Sequence, residues 1–367
     1  MIYNIANTND LSSFYIIYDG VVINETNGIY GISHFIEHLI CKNLDDNFID
    51  KLEKNGISWN AFTTTNNIIF HIKGLDEYVY KFKNDFLLKV NNFKIDTDVF
   101  EIEKKVILEE YSDLFNKYSK NHILNLHRKI LNNFNSVGKK EDIQNITIED
   151  CLNYYSKYYD KPSKIIYFSK KYKHESDITH STNVDKKIIS FNTYDNILET
   201  PIYSNNKSSI VFISPIIETD FHKIIFITLL LSGGLKSPLY KAIREKNSLA
   251  YYINCRIERI DKIGFVTIST ETTDSNVNKT IDVIKDVFKD KSYLTQEKFE
   301  TIKNYIKITI LKSNINLQDN EDRYILPYEW LLENYIDIIT FDDIILAFDN
   351  YFNINKYRIS VNKTEFI

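Results

Sequence analysis

The hydrophobic positions of this chain change period several times, and each change marks an element. "SSFYIIYDGVVI" (12–23) is dense in β-branched and aromatic residues and predicts a strand. "GISHFIEHLI" (31–40) spaces its apolar residues for a helix, and "NAFTTTNNIIFHIKG" (60–74) is again rich in strand formers. A longer helical pattern covers 96–118, with Asp96 or Thr97 placed to cap its start. "TIEDCLNYYSKYY" (147–159) predicts a helix capped by Thr147 with Asp150 in its first turn, and "SKIIYFSK" (163–170) a strand. Residues 173–200 are polar and weakly periodic, as a linker would be.

The alternation then resumes. "SSIVFISP" (208–215) predicts a strand, and "HKIIFITLLLSGG" (222–234) a helix ended by paired glycines. "SPLYKAIREK" (237–246) predicts a helix with Ser237 as N-cap and Pro238 at the first helical position. "LAYYINCRIERI" and "GFVTISTE" suggest a hairpin, with three further helical stretches after it. Two mixed units of similar size and order follow, residues 1–180 and 181–367, which suggests a duplicated domain.

Composition narrows the class. The 367 residues are 43% hydrophobic and 26% charged, ordinary values for a globular chain long enough for two cores. A net charge of −5 leaves no basic footprint for nucleic acid or an anionic membrane. Nine glycines and five prolines argue against long disordered linkers. The three scattered cysteines predict no disulfide framework and a reducing compartment. The first residues, "MIYNIANTNDLSSF", lack the basic-then-apolar signature of a secretory signal, and no apolar run is long enough to span a bilayer. The expectation is a soluble cytoplasmic protein.

The candidate chemistry sits in the helix predicted at 31–40. His34 and His38 are four residues apart, so their imidazoles share one helix face and can reach a single ion. Glu37 lies beside them, within reach of a water on that ion. The order His-x-x-Glu-His is that of the inverzincins. A catalytic zinc needs a third protein ligand and one position left for water. The 96–118 helix offers it. At 100° per residue its apolar face comprises Val99, Phe100, Val106, Ile107, Tyr111 and Leu114. Glu103 and Glu110, seven apart, fall at the middle of that face, where an uncompensated carboxylate is costly. This favours Glu110 as third ligand over Glu109 at the edge of the face, without settling the choice. Glu103 is then a supporting or active-site acid.

These features together resemble the M16 family of inverzincin metallopeptidases, the pitrilysin, insulysin and mitochondrial-processing-peptidase-like proteins. "LEKNGISWNAFTTTNN" (52–67) resembles the family's Gly-x-x-x-Asn-Ala-x-Thr segment, and "EIEKKVILEEYSD" (101–113) its helix with two glutamates, the later one binding zinc. "ITIEDCLNYYSKYYDKPSKIIYF" (146–168) is similar to the end of the family's first domain. "LSGGLKSPLYKAIREKNSLAYYI" (231–253) is similar to its Arg/Tyr motif, with Ser248 where glycine is common. The resemblance implies an α+β fold, two similar domains each with a mostly antiparallel sheet packed with helices. It implies a zinc endopeptidase or oligopeptidase for peptides or unfolded polypeptides, with His34, His38 and Glu110 on Zn²⁺, Glu37 as general base and Glu103 as a further acid. Asn60 and Ala61 would line a strand edge to which substrate adds, and Arg244 and Tyr251 would contact substrate carbonyls. Full-size members have four such domains. A two-domain chain therefore implies pairing, as a homodimer or as one half of a heterodimer. A non-catalytic subunit is the alternative reading.

Overall fold

The computed structural model describes residues 2–6, 10–22, 24–64, 67–120, 137–173, 207–216, 220–260, 263–313, 335–353 and 356–363. Two compact units form, Met1–Asn116 with Leu131–Ser190, and Lys117–Ile130 with Phe191–Ile367. The linker expected at 173–200, and with it the 180/181 division, lies outside the described residues apart from Lys173.

In the first unit five strands, β1 (Ile2–Ala6), β2 (Leu11–Asp19), β3 (Ser58–Thr63), β4 (Asn67–Leu75) and β5 (Lys164–Ser169), form one sheet in the order β1-β5-β2-β4-β3. All pairings are antiparallel except β1 with β5. The strand expected over 12–23 stops at Asp19, because Gly20 turns the chain with φ 75°. Helices α1 (Ile32–Asn43), α2 (Asp46–Lys54), α3 (Asp76–Asn91), α4 (Thr97–Lys120), α5 (Lys140–Asn145) and α6 (Ile148–Tyr158) complete the unit. The N-terminus of α6 is capped by Thr147 as its sequence predicts, and Asp150 completes a capping box, the two side chains exchanging hydrogen bonds with each other's backbone N–H.

The second unit repeats this plan. Its strands β6 (Lys207–Ile216), β7 (Ile253–Ile260), β8 (Ile263–Thr273) and β9 (Arg358–Lys363) run in the order β7-β8-β6-β9, all pairs antiparallel. Matching β6 to β2, β7 to β3, β8 to β4 and β9 to β5 reproduces the first sheet without β1. The helix after β2 recurs as well: α7 (Phe221–Ser232) follows β6 as α1 follows β2. Helix α8 (Pro238–Tyr240) is only three residues long and continues as a π-helix over Lys241–Lys246. The α-helix expected over 237–246 is thus mostly wider-wound, and Ser237, although at the N-cap position, makes no capping bond. Helices α9 (Val277–Lys289), α10 (Gln296–Ser313) and α11 (Phe341–Tyr351) follow. Among the described residues no helix is long and apolar enough to cross a membrane, and Cys41, Cys151 and Cys255 are all unpaired thiols.

What matters for chemistry is how α1 is held. Ile32, Phe35, Ile36, Leu39 and Ile40 are buried, placing its apolar stripe against β3, β4, α3 and α6. Phe35 stacks on Phe100 of α4, ring centroids 4.8 Å apart and planes at 13°. Lys104 of α4 donates to the carbonyls of Gln144 and Ile146, fastening α4 to the end of α5. The two helices bearing the candidate residues are therefore locked by packing.

Candidate metal centre

One turn of α1 separates His34 from His38, and both rings turn toward α4. His34 Nε2 lies 3.3 Å from His38 Nε2. Glu110 Oε2 lies 3.7 Å from the first nitrogen and 3.6 Å from the second. The three atoms make a nearly even triangle, and among the described residues this is the one group arranged to hold a metal ion. Ligand atoms about 2.1 Å from a tetrahedral zinc stand about 3.4 Å apart, so the spacing fits such an ion. A single proton could bridge the two imidazoles, whereas a divalent cation satisfies both nitrogens and the carboxylate together. Burial, and then the charge of His38, depress the His34 pKa to about 3, which keeps this ring neutral and its lone pair available. Glu109 points to solvent, and the geometry selects Glu110 of the two neighbours.

Glu103 stands behind the triangle. It is buried, and its Oε2 lies 2.9 Å from His38 Nδ1, the nitrogen turned away from Glu110. With Nδ1–H donating to Glu103, His38 Nε2 carries the lone pair. Lys42 Nζ lies 3.2 Å from the other oxygen, Glu103 Oε1. Glu103 is thus held between His38 Nδ1 and Lys42 Nζ, on the side of His38 away from Glu110. Val106, expected on the same apolar face, is 36% exposed; among the described side chains of α4 the buried stripe is the narrower Phe100, Glu103 and Ile107.

Glu37 is buried against β3, and its Oε2 accepts a hydrogen bond of 2.8 Å from Thr63 Oγ1. Burial raises the Glu37 pKa above the usual carboxylate range, while the Thr63 donor works the other way. Thr63, the threonine of the Gly-x-x-x-Asn-Ala-x-Thr segment, was given no role from the sequence. Its signal was the two-residue alternation of β3, which turns Thr63 and Ala61 to one face and Asn60 to the other. Asn60 is exposed and Ala61 half-buried on this strand, which is the edge of its sheet.

In the second unit, Arg244 on the π-helix has its guanidinium carbon 4.4 Å from the Tyr251 ring centroid and 5.2 Å from that of Tyr240. Its Nη1 donates to the Tyr251 carbonyl at 3.4 Å. Tyr251 is 78% exposed, so the pair presents a cation and a phenol to solvent. Between them Ser248 adopts φ 50°, the left-handed region where glycine is favoured, and it is the one non-glycine residue to do so among those described.

Comparison with known proteins places this geometry. The family model described as "Insulinase (Peptidase family M16)" matches residues 6–140, and that described as "Peptidase M16 inactive domain" matches residues 166–306. The chain belongs to the M16 peptidase family. Two curated M16 relatives are a probable mitochondrial-processing peptidase subunit beta of Arabidopsis thaliana, 25% identical over 175 residues, and the subunit beta of Neurospora crassa, 28% identical over 138. The aligned segments cover 46% and 35% of this chain but only 32% and 29% of those proteins. The fold is shared along nearly the whole chain with a protease from Helicobacter pylori (TM-score 0.76, 16% identity, covering 99% of this chain and 96% of that one). An M16 inactive-domain protein from Pseudomonas fluorescens is similar in fold (TM-score 0.74, 15% identity, 100% and 95% covered). In keeping with the second M16 match, α7 reads "FHKIIFITLLLS" and carries no His-x-x-Glu-His.

Proposed function

We propose that the chain is a zinc-dependent endopeptidase or oligopeptidase acting on peptides or unfolded polypeptides. The observation that carries this reading is the convergence of His34 Nε2, His38 Nε2 and Glu110 Oε2 beside a buried Glu37. Held by those three groups, a zinc ion would bring the pKa of a bound water toward neutrality and polarise a substrate carbonyl. Glu37 has one oxygen engaged by Thr63, which leaves Oε1 to take a proton from the attacking water and return it to the leaving amine. Its burial makes it a stronger base than a solvated carboxylate. Substrate adds along the open edge of β3 near Asn60 and Ala61, and Arg244 and Tyr251 engage its carbonyls.

The test is metal analysis paired with hydrolysis of a fluorogenic peptide. The expected result is one zinc per chain and cleavage that a chelator abolishes and zinc restores. A purified chain that takes up no zinc and cleaves nothing supports the non-catalytic subunit reading instead.

Thr63 has a measurable part in this scheme. Thr63→Val is expected to lower kcat about tenfold with zinc content and KM little changed, since hydrogen bonds to charged groups contribute about 1.5–3 kcal/mol. Thr63→Ser should recover most of the loss. Equal rates for valine and threonine would show that the contact does not matter to Glu37.

Two such chains pair, in this reading, to assemble the substrate-enclosing enzyme. A homodimer is the simplest form, because one chain carries both the zinc-side and the Arg/Tyr groups. The curated relatives are subunits by name, which keeps an active half of a heterodimer as the second reading.

A further inference from the structure

The helix carrying His34, Glu37 and His38 begins without a side-chain cap of its own. Its N-cap residue is Gly31, in the left-handed region at φ 99°, and glycine brings no capping oxygen. Crowding also demands glycine: a Cβ at Gly31 would stand 2.8 Å from the carbonyl oxygen of Val137, and one at Gly138 would stand 2.3 Å from that of Tyr30. The cap comes from six residues upstream. Glu25 is 1% exposed, its Oε2 accepts from the Gly31 N–H at 2.7 Å, and its Oε1 accepts from the Ser33 N–H at 2.9 Å. Among the described residues no ion pair involves Glu25. A carboxylate this deeply buried is costly unless strong donors hold it. Here the first N–H groups and the positive end of the α1 dipole do so. One turn back, Asp142 Oδ2 accepts from the Gly28 and Tyr30 N–H groups, both at 3.0 Å, so a second carboxylate fixes the approach to the helix.

His34 sits in the first turn of α1, which frays first when its N–H groups are unpaired. A shift of that turn moves His34 relative to His38 Nε2 and Glu110 Oε2, which stand 3.3 Å and 3.7 Å from its Nε2.

We propose that Glu25 is a positioning residue of the metal centre. By holding the N–H groups of Gly31 and Ser33 it fixes the first turn of α1, and with it His34 Nε2 relative to His38 Nε2 and Glu110 Oε2. The proposal rests on reading those three groups as metal ligands.

The experiment measures zinc affinity by competition with a chromophoric chelator on the full chain, for wild type, Glu25→Gln and Thr147→Ala. Glutamine keeps the size and one acceptor but sets an amide N–H against a backbone N–H. Thr147→Ala removes the cap at the N-terminus of α6 in the same unit, a stability control whose own side chain bonds only Asp150 and touches no group at the start of α1. Glu25→Gln is expected to bind zinc about tenfold more weakly, the scale of outer-sphere partners of metal ligands. Thr147→Ala should stay within about twofold of wild type. The absorption spectrum of the cobalt-substituted chain should change for Glu25→Gln alone. Equal zinc affinities for the two variants overturn the proposal. Should Glu25→Gln not fold, Glu25→Asp, one methylene shorter with the charge kept, is judged by the same criterion. If neither folds, Glu25 is a general folding determinant and the proposal is overturned. A wild-type chain that binds no zinc overturns the metal reading itself, a result separate from any difference between variants.

Discussion

Glu37→Gln is expected to keep zinc at one per chain and to lose peptide hydrolysis by about 10²–10⁴-fold in kcat. The amide is nearly isosteric, and its oxygen can still accept from Thr63 Oγ1, so the packing of α1 against β3 survives. What disappears is the capacity to take a proton at Oε1. The three ligand atoms are untouched, since none belongs to residue 37. KM should move little, because the lost interaction belongs to the transition state. The measurement is steady-state kinetics on a fluorogenic peptide with metal content determined on the same sample. Cleavage at the wild-type rate would remove Glu37 from the mechanism, and zinc loss in this variant would mean that its role is structural.

The second large effect concerns pairing. His34→Ala and Arg244→Ala chains are each expected to be inactive alone, the first for want of a metal ligand and the second for want of the cation that contacts substrate. Mixed in equal amounts and allowed to exchange, they should recover roughly a quarter of wild-type activity. Half the dimers are then mixed, and each mixed dimer has one intact site of two. The arithmetic holds only if each site draws the zinc side from one chain and Arg244 from its partner. No recovery, with light scattering showing that dimers have exchanged, would exclude sharing between copies of this chain and favour a distinct partner subunit.

Several elements of this centre were legible in the sequence because they obey simple periods. His34 and His38 are one turn apart, and Glu103 and Glu110 two turns apart, and helices α1 and α4 deliver them as that spacing demands. The Thr147 cap was equally plain. Other elements depended on contacts distant in sequence. β1 and β9 are short edge strands, five and six residues, whose pairing partners β5 and β6 lie far away in the chain. The role of Glu25 follows from the left-handed φ of Gly31, which no periodicity announces. The π-helix under Arg244, defined by bonds spanning five residues, lies in a segment whose residues suit an α-helix equally well. Val106 was misplaced because the buried stripe of α4 is narrower than an idealised wheel suggests.

The matching strand orders of the two halves mean that one architectural solution has been used twice under unequal demands. In the first copy α1, the helix after β2, holds two imidazoles and an acid among apolar neighbours. Its counterpart α7 fills most of its buried positions with isoleucine, leucine and phenylalanine, His222 and Thr228 being the polar exceptions. Random substitution should therefore meet two different filters within one polypeptide: side-chain identity at the first helix, mainly side-chain volume at the second.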